Sequence, residues 1–382
     1  MSHRKNLNVG IIGFGFIGKV HAWSHQNLPW YYTDLPVTTR VTHVCTSRPE
    51  TAAAAQALTG ADRATTTAKE ILEDPDIDLV HICTPNILHE VDIRGALGNG
   101  KRVYCDKPLT ASLSGAEALL KDFPTELERK LGMTFQWRYF PSTMRAAELM
   151  RTGALGRILS FRASYLHAGS ADPNAPLKWK LSAGSGGGVI ADLSSHVFDL
   201  LSSLGAKFTR VQAQTNIAFE TRPPLGATNP SDRVPVDAED YVAALCEARF
   251  PGSDIQAVGT IEASKIATGT EDELTFEIHG TRGALRFDGM APHYLEYYDA
   301  DAATPGWNRM GTGQRYGQPA NGFPTPKASI GWMRSHIACL ADCLAAFAQE
   351  KAPVPNGLHG VQNMRVLEAV KRSSAGSTAV AL

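Results

Sequence analysis

The segment Gly13-Phe14-Gly15-Phe16-Ile17-Gly18 constrains this chain most. It follows the apolar run LNVGII at 7–12 and opens a helix-like stretch. In a strand–turn–helix setting the three glycines have separate tasks. The first makes a tight turn, the second lets the backbone approach a pyrophosphate, and the third lets helix and strand pack closely. Free N–H groups and the positive end of the helix dipole then face the phosphates. A glycine turn alone is a weak signal, but more strand–helix units follow this one. Apolar runs VTHVC (41–45), LVHIC (79–83), RVYC (102–105) and MTF (133–135) alternate with helix-like segments at 49–58, 67–72, 87–97 and 112–121. That alternation predicts parallel βαβ units in a doubly wound sheet.

From about residue 155 the texture changes. RILSFRASYLH (157–167), TRVQAQTNIAF (209–219), EDYVAALCEARF (239–250), DIQAVGTIEASKI (254–266) and ELTFEIHG (273–280) alternate with period two. Such runs predict an antiparallel sheet with one covered face. A helix at 189–204 interrupts them, a Gly/Pro-rich loop spans 300–328, and helical segments at 331–349 and 358–374 close the chain. The expectation is an α/β protein of two domains, which suits 382 residues. Residues 1–135 form a Rossmann dinucleotide-binding domain with a doubly wound parallel sheet. Residues 136–382 form an α/β domain with a large, mainly antiparallel open sheet.

Charge excludes one class of partner. Lys+Arg is 37 against 38 Asp+Glu, so no basic footprint for nucleic acid exists. The N-terminal MSHRKNLNVGIIGFG lacks the unbroken apolar segment of a signal peptide. No run approaches the roughly 18 apolar residues of a membrane span. A cytoplasmic protein with neither a membrane nor a nucleic-acid partner is expected. Six cysteines in so long a chain make no disulfide framework. Cys45, Cys83 and Cys105 end apolar runs and read as small buried hydrophobes. His336, Cys339 and Cys343 would share one helical face, but the run HIACLADCLAAF reads as core. His21 and His25, four apart, have no carboxylate to complete a site. No metal is assigned.

The end of the second strand bears on cofactor choice. Thr46-Ser47-Arg48 stands where an enzyme specific for NAD carries an acid for the ribose hydroxyls. Small hydroxyls beside an Arg suit a 2′-phosphate and favour NADP. In the alternative, Arg48 stacks on adenine or caps the helix from Pro49, and NAD binds. Thr84-Pro85 and Lys107-Pro108 stop two strands, so their neighbours are further cofactor candidates.

Two motifs carry proton chemistry. Cys105-Asp106-Lys107-Pro108 ends a strand, and Gly186-Gly187-Gly188-Val-Ile-Ala-Asp192-Leu-Ser-Ser-His196 opens the helix of the second domain. Asp192 and His196 are four apart and share a helical face. A carboxylate one turn away can fix an imidazole's tautomer and raise its basicity. Oxidation of an alcohol needs a base for the hydroxyl proton and a cation for the developing alkoxide. His196 and Lys107 supply these, with Asp192 orienting the imidazole.

The order of GFGFIG, CTPNILH (83–89), CDKP, FQWRYFPSTMRAAELMRTGALG (135–156) and GGGVIADLSSHVFD (186–199) resembles the glucose–fructose oxidoreductase / myo-inositol dehydrogenase (Gfo/Idh/MocA) family along nearly the whole chain. The resemblance implies an NADP- or NAD-dependent oxidoreductase acting on a pyranose or cyclitol ring carbon, with Lys107, Asp192 and His196 catalytic. It implies cofactor contacts from Gly13, Gly15, Phe16, Ile17, Gly18, Thr46, Ser47, Arg48, Thr84, Pro85, Asn86, His89, Asp106 and Lys107, with Pro85 and Asn86 on the nicotinamide side. It suggests that Arg138 follows the fifth strand near the cleft. Tyr165, His167, Lys178 and Trp179 flank the Gly/Pro-rich loop 168–188, and they, like Arg138, read either as substrate contacts or as packing and loop surface. Its open sheet implies a homodimer or homotetramer. Asp106 replaces the family's usual glutamate before the lysine. Ser194 stands where a glycine is often found, which narrows the pocket. The same residues would serve a glycoside hydrolase that oxidises its substrate transiently, which is the alternative reading; a non-catalytic sensor would be expected to lack them. The 300–328 loop, with Trp307, Arg309, Arg315 and Tyr316, reads as lid, subunit contact or plain surface.

Overall fold

Each alternation in the first third of the chain becomes a strand followed by a helix. The structure, a computed structural model, describes residues 4–227, 229, 231–313 and 323–382. The first elements are β1 (Lys5–Ile12), α1 (Phe16–Tyr31), β2 (Val37–Cys45), α2 (Pro49–Thr59), β3 (Arg63–Thr65), α3 (Ala68–Glu73), β4 (Leu79–Ile82), α4 (Asn86–Gly98), β5 (Arg102–Asp106), α5 (Leu113–Asp122), α6 (Pro124–Arg129) and β6 (Leu131–Thr134). Then come α7 (Pro141–Arg151), β7 (Ile158–Leu166), α8 (Ser195–Ser203), β8 (Lys207–Asn216), β9 (Thr221–Arg222), β10 (Val234–Pro235), β11 (Tyr241–Arg249), β12 (Ala257–Ser264) and β13 (Glu273–Gly280). β14 (Gly283–Asp288), β15 (Tyr294–Asp299), β16 (Trp307–Gly311), α9 (Trp332–Ala348), α10 (Gly357–Gly376) and β17 (Val380–Ala381) complete the chain.

The contacts divide into two compact units. Unit 1 is Met1–Tyr139 with Gln314–Met364, and unit 2 is Phe140–Gly313 with Arg365–Leu382. Sequence reading carries the second domain unbroken from 136 to 382, whereas here α9 groups with unit 1.

Unit 1 holds a six-stranded sheet in the order β3-β2-β1-β4-β5-β6, every pair parallel. β4 is buried at all four positions, as expected for a parallel strand covered on both faces. Strand order reverses between β1 and β4, and ligands of such sheets bind beyond the carboxyl ends at that switch. β3 escapes sequence reading because Arg63-Ala64-Thr65 has no apolar run. With β3 included, Arg138 follows the sixth strand, not the fifth, in the short 3₁₀ turn Gln136–Tyr139.

A line of imidazoles crosses this core. His21 and His25 on α1 and His81 on β4 are at most 4% exposed. His25 Nε2 lies 2.9 Å from His81 Nε2, and His81 Nδ1 lies 2.9 Å from His21 Nδ1. Thr39 Oγ1, 2.8 Å from His25 Nδ1, and Thr134 Oγ1, 3.4 Å from His21 Nε2, end the line. A neutral imidazole donates from one nitrogen and accepts at the other. Rings linked this way satisfy one another without charge. Burial accordingly holds the His25 pKa down at about 3 and pushes His21 and His81 well below the usual value.

Unit 2 is built on a nine-stranded sheet, β16-β15-β14-β13-β7-β12-β11-β8-β17. β7 and β12 are parallel and the other pairs antiparallel. β11 alternates buried and more exposed positions along its length, so one face is covered. α8 lies on that face, with Phe198 5.0 Å from Phe208 and Phe161 6.1 Å from Phe208 between ring centres. Trp307 and Arg309, read as loop, lie in the edge strand β16. There Arg309 covers the Tyr294 ring at 4.0 Å and Trp307 faces Arg286 at 4.1 Å. Arg315 and Tyr316 fall outside the described residues. Among the described residues no helix is long and apolar enough to cross a membrane.

Candidate active site

Gly13 is the tight point of the turn after β1. Its φ is +88°, and a Cβ there would come 2.5 Å from the Cys83 carbonyl oxygen at the end of β4. Its N–H donates to the Cys45 carbonyl at 2.9 Å, tying the turn to β2. A Cβ on Gly18 would sit 2.2 Å from the Gly13 oxygen, whereas Gly15 faces open space. α1 starts at Phe16 and no side chain caps it, so its first N–H groups remain for an anion. Ile17 is half-buried and Phe16 is 70% exposed, its ring 5.6 Å from that of Trp332 on α9. The switch point therefore fits a dinucleotide pyrophosphate.

At the end of β2, Thr46 and Thr51 both donate to the Arg48 carbonyl at 2.9 Å, which sets the start of α2. Ser47 and Arg48 are exposed. Beyond β4, Thr84 donates to Asp92 at 3.1 Å, and burial lifts the Asp92 pKa to about 6. Pro85 precedes α4, and Asn86, its first residue, is buried. His89 is fully buried between two strand ends, with Nε2 2.9 Å from the Thr84 carbonyl and Nδ1 2.9 Å from the Pro108 carbonyl. It thus joins the segment after β4 to that after β5, where Asp106 is half-buried and Lys107 is 9% exposed. Arg138 lies 5.8 Å from the Phe135 ring.

In unit 2 the glycine run shapes the approach to α8. Gly188 has φ +107°, and a Cβ there would strike the Glu239 carboxylate at 2.3 Å. Glu239 accepts from Ile190 N at 3.0 Å through Oε1 and from Val189 N at 2.8 Å through its carbonyl. The single helix expected at 189–204 is two pieces: a π-helical turn over Ile190–Ser194, then α8. Asp192 sits in the π turn and His196 in the α-helix, so ideal 3.6-residue periodicity does not relate them. Ser194, expected to narrow the pocket, is fully buried.

Asp192 meets Lys180 and Lys265. Lys180 Nζ lies 2.9 Å from Oδ1 and 3.3 Å from Oδ2. Lys265 Nζ lies 3.1 Å from Oδ2. The two differ in environment: the Lys180 side chain is 49% exposed and that of Lys265 is 2%. Around them stand His196, its ring 5.8 Å from that of Tyr165, and Tyr165 itself, buried and donating to Asp272 at 2.6 Å. His167 accepts from Gly169 N at 2.9 Å. Burial lowers its pKa; Asp192 and Asp272 pull it up, and Lys265 and Lys180 push it further down. Trp179 is 36% exposed, 5.9 Å from Lys180 Nζ, and Lys178 is exposed.

Lys180 and Lys265 are absent from the sequence-based candidates. A signal for Lys265 existed. The alternation of β12 puts Ile261 and Ala263 on the covered face, and continuing it two residues puts a lysine there. A lysine at a covered position demands a buried partner. Lys180 lies in an irregular segment and gives no such signal. His336, Cys339 and Cys343 on α9 are all buried in unit 1. Among the described residues no group of three or more His, Cys, Asp or Glu could hold a metal ion.

Comparison with known proteins fits this geometry. Residues 7–134 match the family model of the oxidoreductase family with an NAD-binding Rossmann fold, and 143–286 match the GFO/IDH/MocA C-terminal domain. A levoglucosan dehydrogenase of Pseudarthrobacter phenanthrenivorans is 32% identical over 383 residues, covering 97% of each chain. An inositol 2-dehydrogenase of Rhizobium meliloti is 28% identical over 302 residues, 78% of this chain and 80% of that one. The solved structure of levoglucosan dehydrogenase in complex with NADH and levoglucosan is similar with a TM-score of 0.89, at 31% identity and 99% coverage of both chains. This chain belongs to the Gfo/Idh/MocA family of NAD-binding oxidoreductases.

Proposed function

We propose that the protein oxidises a ring carbinol of a sugar, sugar derivative or cyclitol, or reduces the matching ketone. The observation that carries this reading is the group at the head of α8. There a carboxylate held by two ammoniums precedes an imidazole by four residues, in a chain whose first helix opens on a phosphate-binding turn. His196 takes the hydroxyl proton, Lys107 stabilises the oxygen as negative charge develops, and Asp192 fixes the electrostatics around the imidazole. Gly13, Gly15, Gly18 and the N-terminus of α1 hold the dinucleotide, with Pro85 and Asn86 on its nicotinamide side. The bound nicotinamide supplies the hydride acceptor. Tyr165, His167, Trp179 and Arg138 serve the polyol, and the exposed Trp179 ring suits an apolar sugar face. The relatives reported above are dehydrogenases of an anhydrosugar and a cyclitol, which favours a dehydrogenase over the hydrolase alternative.

NADP is the proposed preferred cofactor, with NAD accepted. The β2 end carries no carboxylate at Thr46, and exposed Arg48 stands beside the start of α2. Arg48→Ala should lower kcat/KM for NADP by about 10-fold or more and that for NAD by less than about threefold, as loss of a charge-assisted phosphate contact requires. Equal losses for both cofactors would remove the preference. The proposal includes self-association through the open face of the large sheet. That face carries Leu245 and Val258, 49% and 46% exposed, beside the Arg162–Glu277–Arg286 ion pairs. Sedimentation of wild type against Leu245→Glu tests it: a shift toward monomer supports the face, and unchanged mass removes it.

The reaction itself is tested by offering a panel of sugars, anhydrosugars and cyclitols with each cofactor, read at the reduced-nicotinamide absorbance band. Turnover of at least one ring polyol is expected. Turnover confined to acyclic alcohols or 2-hydroxy acids contradicts the reading.

A further inference from the structure

We propose that Lys265 is a positioning residue for this reaction: its buried ammonium keeps Asp192 an anion in one orientation and ties the segment bearing Trp179 and Lys180 to the head of α8. The proposal rests on the reading of Asp192 and His196 given above. Lys265 follows β12, is 2% exposed, and reaches Asp192 Oδ2 at 3.1 Å and the Lys180 carbonyl at 3.2 Å. That carbonyl also accepts from Gly188 N at 3.0 Å. One ammonium thus joins the sheet, the Trp179–Leu181 turn and the glycine run that leads into Asp192. Lys265's own backbone is fixed on both sides, its N–H donating to the Asp240 carbonyl at 2.9 Å and its carbonyl accepting from Ser170 N at 2.8 Å.

The two lysines on Asp192 are not equivalent. A half-exposed ammonium exchanges its partner with water at little cost, so Lys180 can turn from Asp192 to a substrate hydroxyl. An ammonium inside the core has no such option, because leaving its carboxylate strands a charge in low dielectric. Lys265 is therefore the fixed arm and Lys180 the exchangeable one. Titratable groups packed around this end of unit 2 include His167, His196 and Tyr165 with Asp272, and, behind the glycine run, Glu239 and Asp240. Loss of Lys265 removes the charge that favours the carboxylate form and raises the pH at which Asp192 takes a proton.

The test compares wild type, Lys265→Met and Lys265→Arg for kcat, KM and the pH dependence of kcat/KM, with Lys180→Met alongside. Lys265→Met should lose about 10²-fold in kcat, the scale of a small misplacement of catalytic groups. Its acid limb should move up by about one pH unit or more. Lys265→Arg should restore the limb and recover most of kcat, and Lys180→Met should raise KM more than it lowers kcat. An unmoved acid limb in Lys265→Met overturns the proposal whatever the rate, as does an Arg variant no better than Met. Lys265→Gln replaces the Met variant if that one does not fold. If wild type turns over no ring polyol, the reaction assignment fails on its own. The link between Lys265 and Asp192 is then read from thermal unfolding of Lys265→Met, Asp192→Asn and the double variant. Non-additive changes support it and additive ones overturn it.

Discussion

Two clusters, one in each unit, bury polar groups in opposite ways. In unit 1, His21, His25 and His81 lie in a Rossmann core as neutral rings that satisfy one another. In unit 2, buried Lys265 pairs with half-buried Asp192, which a second lysine reaches from the surface. A group that can shed its charge is best buried uncharged, and desolvation then costs only what hydrogen bonds can offset. A lysine opposite an aspartate holds its charge because each ion compensates the other. The first arrangement makes a core. The second makes a fixed electrostatic field, and it stands four residues before the imidazole proposed above to take the hydroxyl proton.

The sharpest way to break this contrast is to delete one partner on each side. Asp192→Ala strands the buried Lys265 ammonium and should destabilise unit 2 by about 3–5 kcal/mol. Hydrogen exchange of β12 and α8 amides would show it, and a change below about 1 kcal/mol would mean that Lys265 is not held as a buried charge by Asp192. His81→Leu keeps the volume of the central ring but leaves His21 and His25 each short of a partner. The expected cost is about 1–3 kcal/mol per ring left unsatisfied, read from exchange in β4 and α1.

Titration gives a smaller, graded effect. In the unfolded chain a histidine takes its proton near pH 6.5, while in the fold burial holds His25 at about 3 and His21 and His81 well below normal. Between these limits the unfolded state binds more protons, so stability is fully present above about pH 6.5 and is lost as pH falls through that window. Each such ring should remove about 1.4 kcal/mol per pH unit. Unit 1 amides should follow this slope and His81→Leu should flatten it. A pH-independent unit 1 would mean that the imidazole line is absent.

Much of this was legible in the sequence. The glycine turn, the βα alternation and the period-two runs follow from local steric and burial rules, so the sheets could be read from LNVGII, LVHIC or ELTFEIHG alone. Features that depend on partners far along the chain were hidden. His81 is 56 and 60 residues from the histidines it joins. Lys265 lies 73 positions beyond Asp192 (265 − 192). β3 was missed for want of an apolar run, and β16 because its aromatic and basic side chains resemble loop texture. The π turn at Asp192 was hidden too, since residue spacing alone assumes 3.6 residues per turn.

The reaction proposed above has Lys107 stabilising the oxygen and His196 taking the proton of a ring carbinol. It is tested most directly by single-turnover oxidation of a ring polyol by wild type, Lys107→Met and His196→Ala, with cofactor affinity measured separately. Each variant should lose about 10²–10⁴-fold in rate, the usual share of acid–base catalysis, and His196→Ala should bind the dinucleotide within about threefold of wild type. Wild-type rates in both variants, with the cofactor bound equally well, would contradict it.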